Sequence, residues 1–380
     1  MFDSDSQRIW ESAATFKHTA SILRMPQKIS RPGTVSTGNE KNQPTRKDLI
    51  QALAIYTQPD YRKALFQISN TFIPYVGLWA LMIYTVVQGF SIWITLVLSV
   101  AASAFLVRLF VLFHDCCHGA FFPWRLGNRL FGYIAGVLTF TPYEDWQRTH
   151  VIHHANSGDL DNRGVGDVWT LTVAEYLAAP RPKRFAYRVF RNPLVLFSIT
   201  PLILFVIVHR FPSPGAKKRE NYSVMLTNVA IAALILVMSL TVGFQNYLLM
   251  QFPVILLAAS VGTWLFYVQH QYEDVYWSRN DSWDLTRSGL EGSSYYQLPV
   301  VLQWLVGNIG LHHIHHVRAN IPNYNLQRCF NEIPALQAVT PLTLRKSFQS
   351  LWLNLWDEES QKLVSFRSIK RLPRGKVVSI

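Results

Sequence analysis

SIWITLVLSVAASAFLVRLFVLF, residues 91–113, is long and apolar enough to cross a bilayer, and it gives way at once to HDCCH, residues 114–118. A crossing helix needs roughly 20 apolar residues. Three further runs meet that length: 68–88 (ISNTFIPYVGLWALMIYTVVQ), 224–243 (VMLTNVAIAALILVMSLTVG) and 247–269 (YLLMQFPVILLAASVGTWLFYVQ). Gly89 and the stretch GFQN mark the two short connections, so the four runs pair as helical hairpins. The fourth run also ends in a histidine, His270.

Two other apolar stretches do not fit as crossings. LFGYIAGVLTF (130–140) is too short, and PLVLFSITPLILFVIV (193–208) is broken by Pro201. If the latter crossed, His270 would emerge on the opposite face from His114 and His118. It is therefore expected to lie in the interface or re-enter. The predicted fold is an all-α integral membrane protein. It has four transmembrane helices in two hairpins, both termini cytoplasmic, and a cytoplasmic helical cap carrying the histidines.

Composition agrees. Only 16% of the 380 residues are charged, against about 25% in soluble proteins. The net charge of +13 is concentrated beside apolar runs, in RPKRFAYRVFR (181–191), KKR (217–219) and RSIKRLPRGK (367–376). That is the bias of cytoplasmic loops rather than of a nucleic-acid surface, so no nucleic-acid partner is expected. The N-terminus MFDSDSQRIW lacks the apolar core of a signal peptide. Residues 1–45 read as a flexible tail, 46–366 as the folded domain, and 367–380 as a basic C-terminal tail. Three cysteines give no disulfide framework and suit a reducing face.

Ten of the 12 histidines fall in four places: HDCCH, HVIHH (150–154), His270 and LHHIHH (311–316). On a helix, residues three and four apart share a face. His114 and His118 have that spacing, and so do His150, His153 and His154, and His312, His315 and His316. Each set is expected to aim its rings at one point. With His270 this makes nine candidate ligands, too many for one ion and about right for two. His313 is offset by about 100° from His312 and is left out. Imidazole-rich sites suit Fe, Zn, Cu and Ni; structural zinc needs only four ligands and often thiolate, so a pair of redox-active irons fits best. Asp115, Asp159, Asp161, Asp167, Glu273 and Asp274 lie near enough in sequence to hold the rings' other nitrogens. His18 and His209 read as incidental.

These residues stand in HDCCHGAFF (114–122), THVIHHANSGDLDNRGVGDVWTLTVAEY (149–176), FYVQHQYEDVYW (266–277) and LPVVLQWLVGNIGLHHIHHVRANIPNYNL (298–326). In them the chain resembles the membrane fatty acid desaturase family, most of all the acyl-lipid branch with Δ12 (omega-6) and Bacillus-type Δ5 enzymes. The likeness runs from about residue 56 to 366. It implies a non-haem centre of two Fe ions that uses O2 to remove two hydrogens from an acyl chain of a membrane lipid, leaving a cis double bond. It also implies electrons from a ferredoxin- or flavodoxin-like donor. The family's ligands carry over onto His114, His118, His150, His153, His154, His270, His312, His315 and His316. One position departs. Where the acyl-CoA branch has an Asn four residues before the isolated histidine, this chain has Phe266, and Asn308 stands as a candidate substitute. Rival readings are a histidine-box alkane or carotenoid hydroxylase and, more distantly, a metal transporter or haem protein. The last two want ligands within the crossings, whereas these histidines lie at or beyond their ends.

Overall fold

The computed structural model describes residues 46–369. The expected N-terminal tail, His18 and most of the basic C-terminal tail lie outside those residues. Four long helices carry the architecture: α1 (Tyr61–Val87), α2 (Ile92–Cys117), α6 (Lys218–Val242) and α7 (Phe244–His270). All four are long and apolar enough to cross a membrane. The Asp60 carboxylate caps α1 by accepting the backbone N–H groups of Arg62 (2.8 Å) and Lys63 (3.3 Å). Each hairpin turns on a glycine in the left-handed region, Gly89 at φ +70° and Gly243 at φ +88°. The second turn is tighter than GFQN suggests, because α7 begins at Phe244, directly after Gly243.

The helices have 25 to 27 residues, about 38–40 Å at 1.5 Å per residue, against about 30 Å of hydrocarbon. They overshoot the lipid, and the histidines occupy the overshoot. His114 is therefore inside the last turn of α2 rather than beyond it, His118 is the residue that ends it, and His270 is the last residue of α7. Hydropathy reports where lipid stops. It does not report where the i→i−4 hydrogen bonds stop.

Helix α2 is the central post. Leu106, Leu109, Leu112 and Phe113 are almost fully buried, whereas Trp93 and Val97 on α2, Ile73 on α1 and Leu240 on α6 stay about 70% exposed or more in the isolated chain. A wide apolar outer surface of this kind is what lipid covers. Helix α3 (Arg125–Leu138) buries Phe131, Ala135 and Gly136 and exposes Leu126, Leu130 and Ile134 on its other face. Gly136 permits its close approach, since a Cβ there would come within 2.5 Å of the Thr141 carbonyl oxygen. The basic helix α5 (Arg181–Phe190) is followed, at a 66° bend, by a π turn (Val195–Ile199) and a short helix (Thr200–Val206). Phe197 packs on Trp264 and Tyr267 at 5.2 Å each, and Phe205 on Phe110 at 6.0 Å. Arg210 then bonds Asn228 Oδ1 at 2.7 Å. All these partners lie in the histidine-bearing half of the bundle.

The cap is built from α4 (Tyr143–Asn156), α8 (His312–Val317), α9 (Asn323–Glu332) and shorter turns. Sheet content is slight. β1 (Leu171–Thr172) pairs in parallel with β4 (Leu355–Asp357), which pairs antiparallel with β5 (Lys362–Val364). β2 (Tyr295–Gln297) pairs in parallel with β3 (Pro341–Thr343).

Candidate metal centre

Four elements bring histidines to one end of the bundle: the ends of α2 and α7, the C-terminal half of α4 and the short helix α8. The rings form two groups. In the first, one nitrogen each of His114, His118, His150, His154 and His315 lie within 4.8 Å of one another; in the second, the same holds for His153, His270 and His316. His312 adjoins the second group, its Nε2 3.1 Å from His270 Nε2. Other Nε2–Nε2 separations are 2.9 Å (His114–His150), 3.1 Å (His150–His154), 3.0 Å (His154–His315) and 3.2 Å (His153–His270).

The expectation that each box aims at one point needs correction. His150 and His154 join one group and His153 the other; His315 joins the first and His316 the second. Successive residues on a helix diverge by about 100°, so a neighbouring pair straddles two points instead of sharing one.

The chemistry of the donors fits metal ions. Two nitrogens on adjacent corners of an octahedron, each about 2.1 Å from an ion, stand about 3.0 Å apart, which matches the separations above. The Nε2 atoms of His118 and His316 are buried and bonded to nothing in the protein, an arrangement that costs free energy unless a ligand takes them up. Burial first, and neighbouring imidazoles second, hold the pKa values of His118, His150, His154, His315 and His316 well below the usual histidine range. The rings are neutral at pH 7 and keep their lone pairs. No thiolate competes, because Cys116 and Cys117 are buried free thiols outside both groups.

Orienting contacts are fewer than the nearby acids suggest. The Asp167 carboxylate accepts the Nδ1 hydrogen bond of His153 at 2.8 Å, and the Gly292 carbonyl faces His270 Nδ1 at 3.2 Å. Asp115 approaches His114 Nδ1 only at 3.5 Å, and its other oxygen accepts the backbone and side-chain N–H groups of Asn323. Asp159 caps its own turn. Asp161 pairs with Arg279, Asp274 lies 3.7 Å from Lys362, and Glu273 is exposed. His313 points away, donating from Nε2 to the Leu336 carbonyl at 3.2 Å, and burial lowers its pKa to about 4. His209 packs on Phe205 at 5.1 Å, apart from both groups. Asn308, at φ +60°, donates to the Asn323 carbonyl (3.3 Å). Phe266 instead packs 5.2 Å from both His153 and His270 as an aromatic wall.

Some supports escaped the sequence reading. Trp146 stacks on His150 with centroids 4.3 Å apart, a contact its position four residues earlier on α4 makes natural. Glu144 is almost fully buried and is held by Arg129 and Arg219. Arg191, from the basic stretch read as loop charge, is buried and bonds Tyr267 Oη (3.0 Å) and Gln271 Oε1 (3.2 Å). Only a tertiary fold reveals such pairings.

A membrane bundle with two buried imidazole groups at one end defines a class: membrane proteins that can bind metal at the lipid boundary. Comparison with known proteins narrows it. The family model described as fatty acid desaturase matches residues 91–346, and the chain belongs to that family. It is 46% identical to a fatty acid desaturase of Bacillus subtilis (strain 168) over 328 residues, covering 86% of this chain and 93% of the relative. It is 26% identical to an sn-1 acyl-lipid omega-3 desaturase (ferredoxin) of Nostoc sp., covering 79% and 82%. With an sn-1 oleoyl-lipid 12-desaturase of Synechocystis sp. it shares 27%, over 58% and 63%. The protein is an oxidoreductase, a fatty acid desaturase of the membrane, and the hydroxylase reading is not favoured.

Proposed function

We propose that nine histidines hold two iron ions: His114, His118, His150, His154 and His315 one, and His153, His270, His312 and His316 the other. The carrying observation is the convergence of buried and half-buried imidazoles on two adjacent points, with separations that match edges of a coordination polyhedron. Bound there, the irons would supply O2 activation. The chain's own residues set the stage. Asp167 and Gly292 hold the Nδ1 protons of His153 and His270, which leaves each Nε2 lone pair facing inward. Trp146 and Phe266 wall the rings from water.

The substrate is an acyl chain of a membrane lipid, desaturated at a Δ12/omega-6-like or Δ5-like position, and the domain is residues 46–366. A methylene has no polar handle, so apolar walls must measure chain depth, at about 0.8 kcal/mol per buried CH2. Both termini and the histidine end face the cytoplasm of a bacterial inner membrane or its equivalent, where a ferredoxin- or flavodoxin-like donor reaches the centre. The name of the Nostoc relative, an acyl-lipid omega-3 desaturase (ferredoxin), supports lipid and donor.

Expression in a host lacking polyunsaturated lipids, with gas chromatography of its acyl chains, tests the reading. A new cis double bond is expected. An oxygenated chain would overturn it. His153→Ala and His315→Ala should each abolish product while the protein stays in the membrane; activity in either variant removes that residue from the ligand set.

A further inference from the structure

Helix α2 carries a cation that the metal centre does not use. Arg108 is 2% exposed, and its partners are all neutral: Thr71 Oγ1 at 2.9 Å, the Trp304 carbonyl, and Asn70 Oδ1 at 3.5 Å. The Trp304 ring covers the guanidinium at 4.1 Å. A guanidinium has five N–H donors, so about two remain. A buried charge without an opposite one is costly, and inside a membrane segment it marks a binding function. Arg108 lines an open cleft of about 230 Å³ together with Lys63, Gln67, Asn70, Trp304 and Tyr324. Lys63 also has only neutral partners, Asn325 Oδ1 at 3.0 Å and the Tyr324 ring. Gln67 Oε1 is buried with no partner at all.

The depth of the cleft says what fills it. Arg108 lies roughly 24 Å along α2 from Ile92, near the inner limit of about 30 Å of hydrocarbon. Lys63 stands in the first turn of α1, in the headgroup zone. Phe66, the apolar side chain among the lining residues on α1, is 70% exposed, so the cleft opens toward lipid. It has room for a headgroup but not for a whole lipid. We propose that it binds the phosphodiester head of a glycerophospholipid, with Arg108 as the floor and Lys63 at the rim. A hydrogen-bonded chain leads from the cleft toward α2's end: Gln67 Nε2 donates to Asn323 Oδ1 (2.7 Å), and Asn323 donates to Asp115 Oδ2 (2.6 and 2.8 Å), where the chain stops, Asp115 Oδ1 lying 3.5 Å from an unbonded His114 Nδ1.

Native mass spectrometry of the detergent-solubilised full chain tests the proposal directly. It is titrated with phosphatidylglycerol, with a glucosyl diacylglycerol of the same acyl chains, and with inorganic phosphate. The wild type should retain one phosphatidylglycerol at concentrations tenfold or more below those needed for the glucolipid, and should not retain inorganic phosphate. Arg108→Met should erase the preference. Lys63→Gln, at an exposed position where folding is not at stake, should reduce it about fivefold, the effect of one interfacial charge. Equal retention of the two lipids, a preference unchanged in Lys63→Gln, or retention of inorganic phosphate at similar concentration would each overturn the lipid-head site. Because the readout is binding, it stands or falls apart from any desaturation assay.

Discussion

Asp167 is the sharpest lever on the centre. It touches a histidine of the second group without belonging to either group. Its carboxylate accepts the Nδ1–H of His153 at 2.8 Å, and its other oxygen accepts the Gly164 backbone N–H at 3.2 Å. The Asp167 side chain is only 12% exposed and that of His153 1%, so water does not replace the bond when it is cut. A hydrogen bond to an ionised acceptor contributes about 1.5–3 kcal/mol. At about 1.4 kcal/mol per factor of ten, Asp167→Ala should weaken metal retention at the second group by roughly 10- to 100-fold, the range typical of lost outer partners. Asp167→Asn keeps an acceptor oxygen in place and removes only the charge, so it should fall between wild type and alanine. Two measurements on purified protein check this: iron per chain after graded exposure to a chelator, and product by gas chromatography from the expressing host. An alanine variant that keeps full iron and full activity would refute the claim that Asp167 orients His153.

Other outcomes follow from the same geometry. His313→Ala should keep its iron but lose about 1–3 kcal/mol of stability, since it strands the Leu336 carbonyl; loss of iron with stability unchanged would return His313 to the ligand set. Acid should weaken the chelated protein. His313 titrates at about 4 when folded against 6.5 when exposed, and His150, His154 and His315 are depressed in the same direction. The unfolded chain therefore binds more protons between those limits, so stability is full above about pH 6.5 and falls as pH drops toward 4. Denaturation midpoints across that window check the sign. Reporter fusions after Pro214 should read cytoplasmic and fusions after Gly89 should read external; external readings at both would make 193–208 a fifth crossing.

The four crossings were legible because lipid imposes a composition, about twenty apolar residues each, that the sequence cannot disguise. Helix ends were not legible. Polar turns such as HDCC continue α2 because Asp115 finds its partner in Asn323 at the start of α9, and nothing near residue 115 in sequence announces Asn323. The orienting carboxylates show the same limit. Six acids lie close in sequence, yet Asp167 alone among them bonds a ring nitrogen at full hydrogen-bond distance, because reach depends on how the 157–170 loop folds back over α4. At Asn308 the backbone is left-handed, and the amide donates to the Asn323 carbonyl, a pairing that its spacing of four from His312 does not announce.

The doubled histidines explain how one short helix can contribute to both histidine groups. A single residue in each turn, spaced by four, would line one point. A neighbouring pair spreads by about 100° and reaches two. Helix α4 gives His150 and His154 to one group and His153 to the other, and α8 gives His315 to one and His316 to the other. By contrast α2 serves only the first group and α7 only the second. The two points are thus fixed relative to each other by α4 and α8, while each is tied to the bilayer by its own crossing helix. Since α2 and α7 pack side by side and both overshoot the lipid, the height of the centre above the hydrocarbon is set by helix length rather than by any loop. A soluble donor above and an acyl chain below can therefore meet at a place that helix geometry alone has determined.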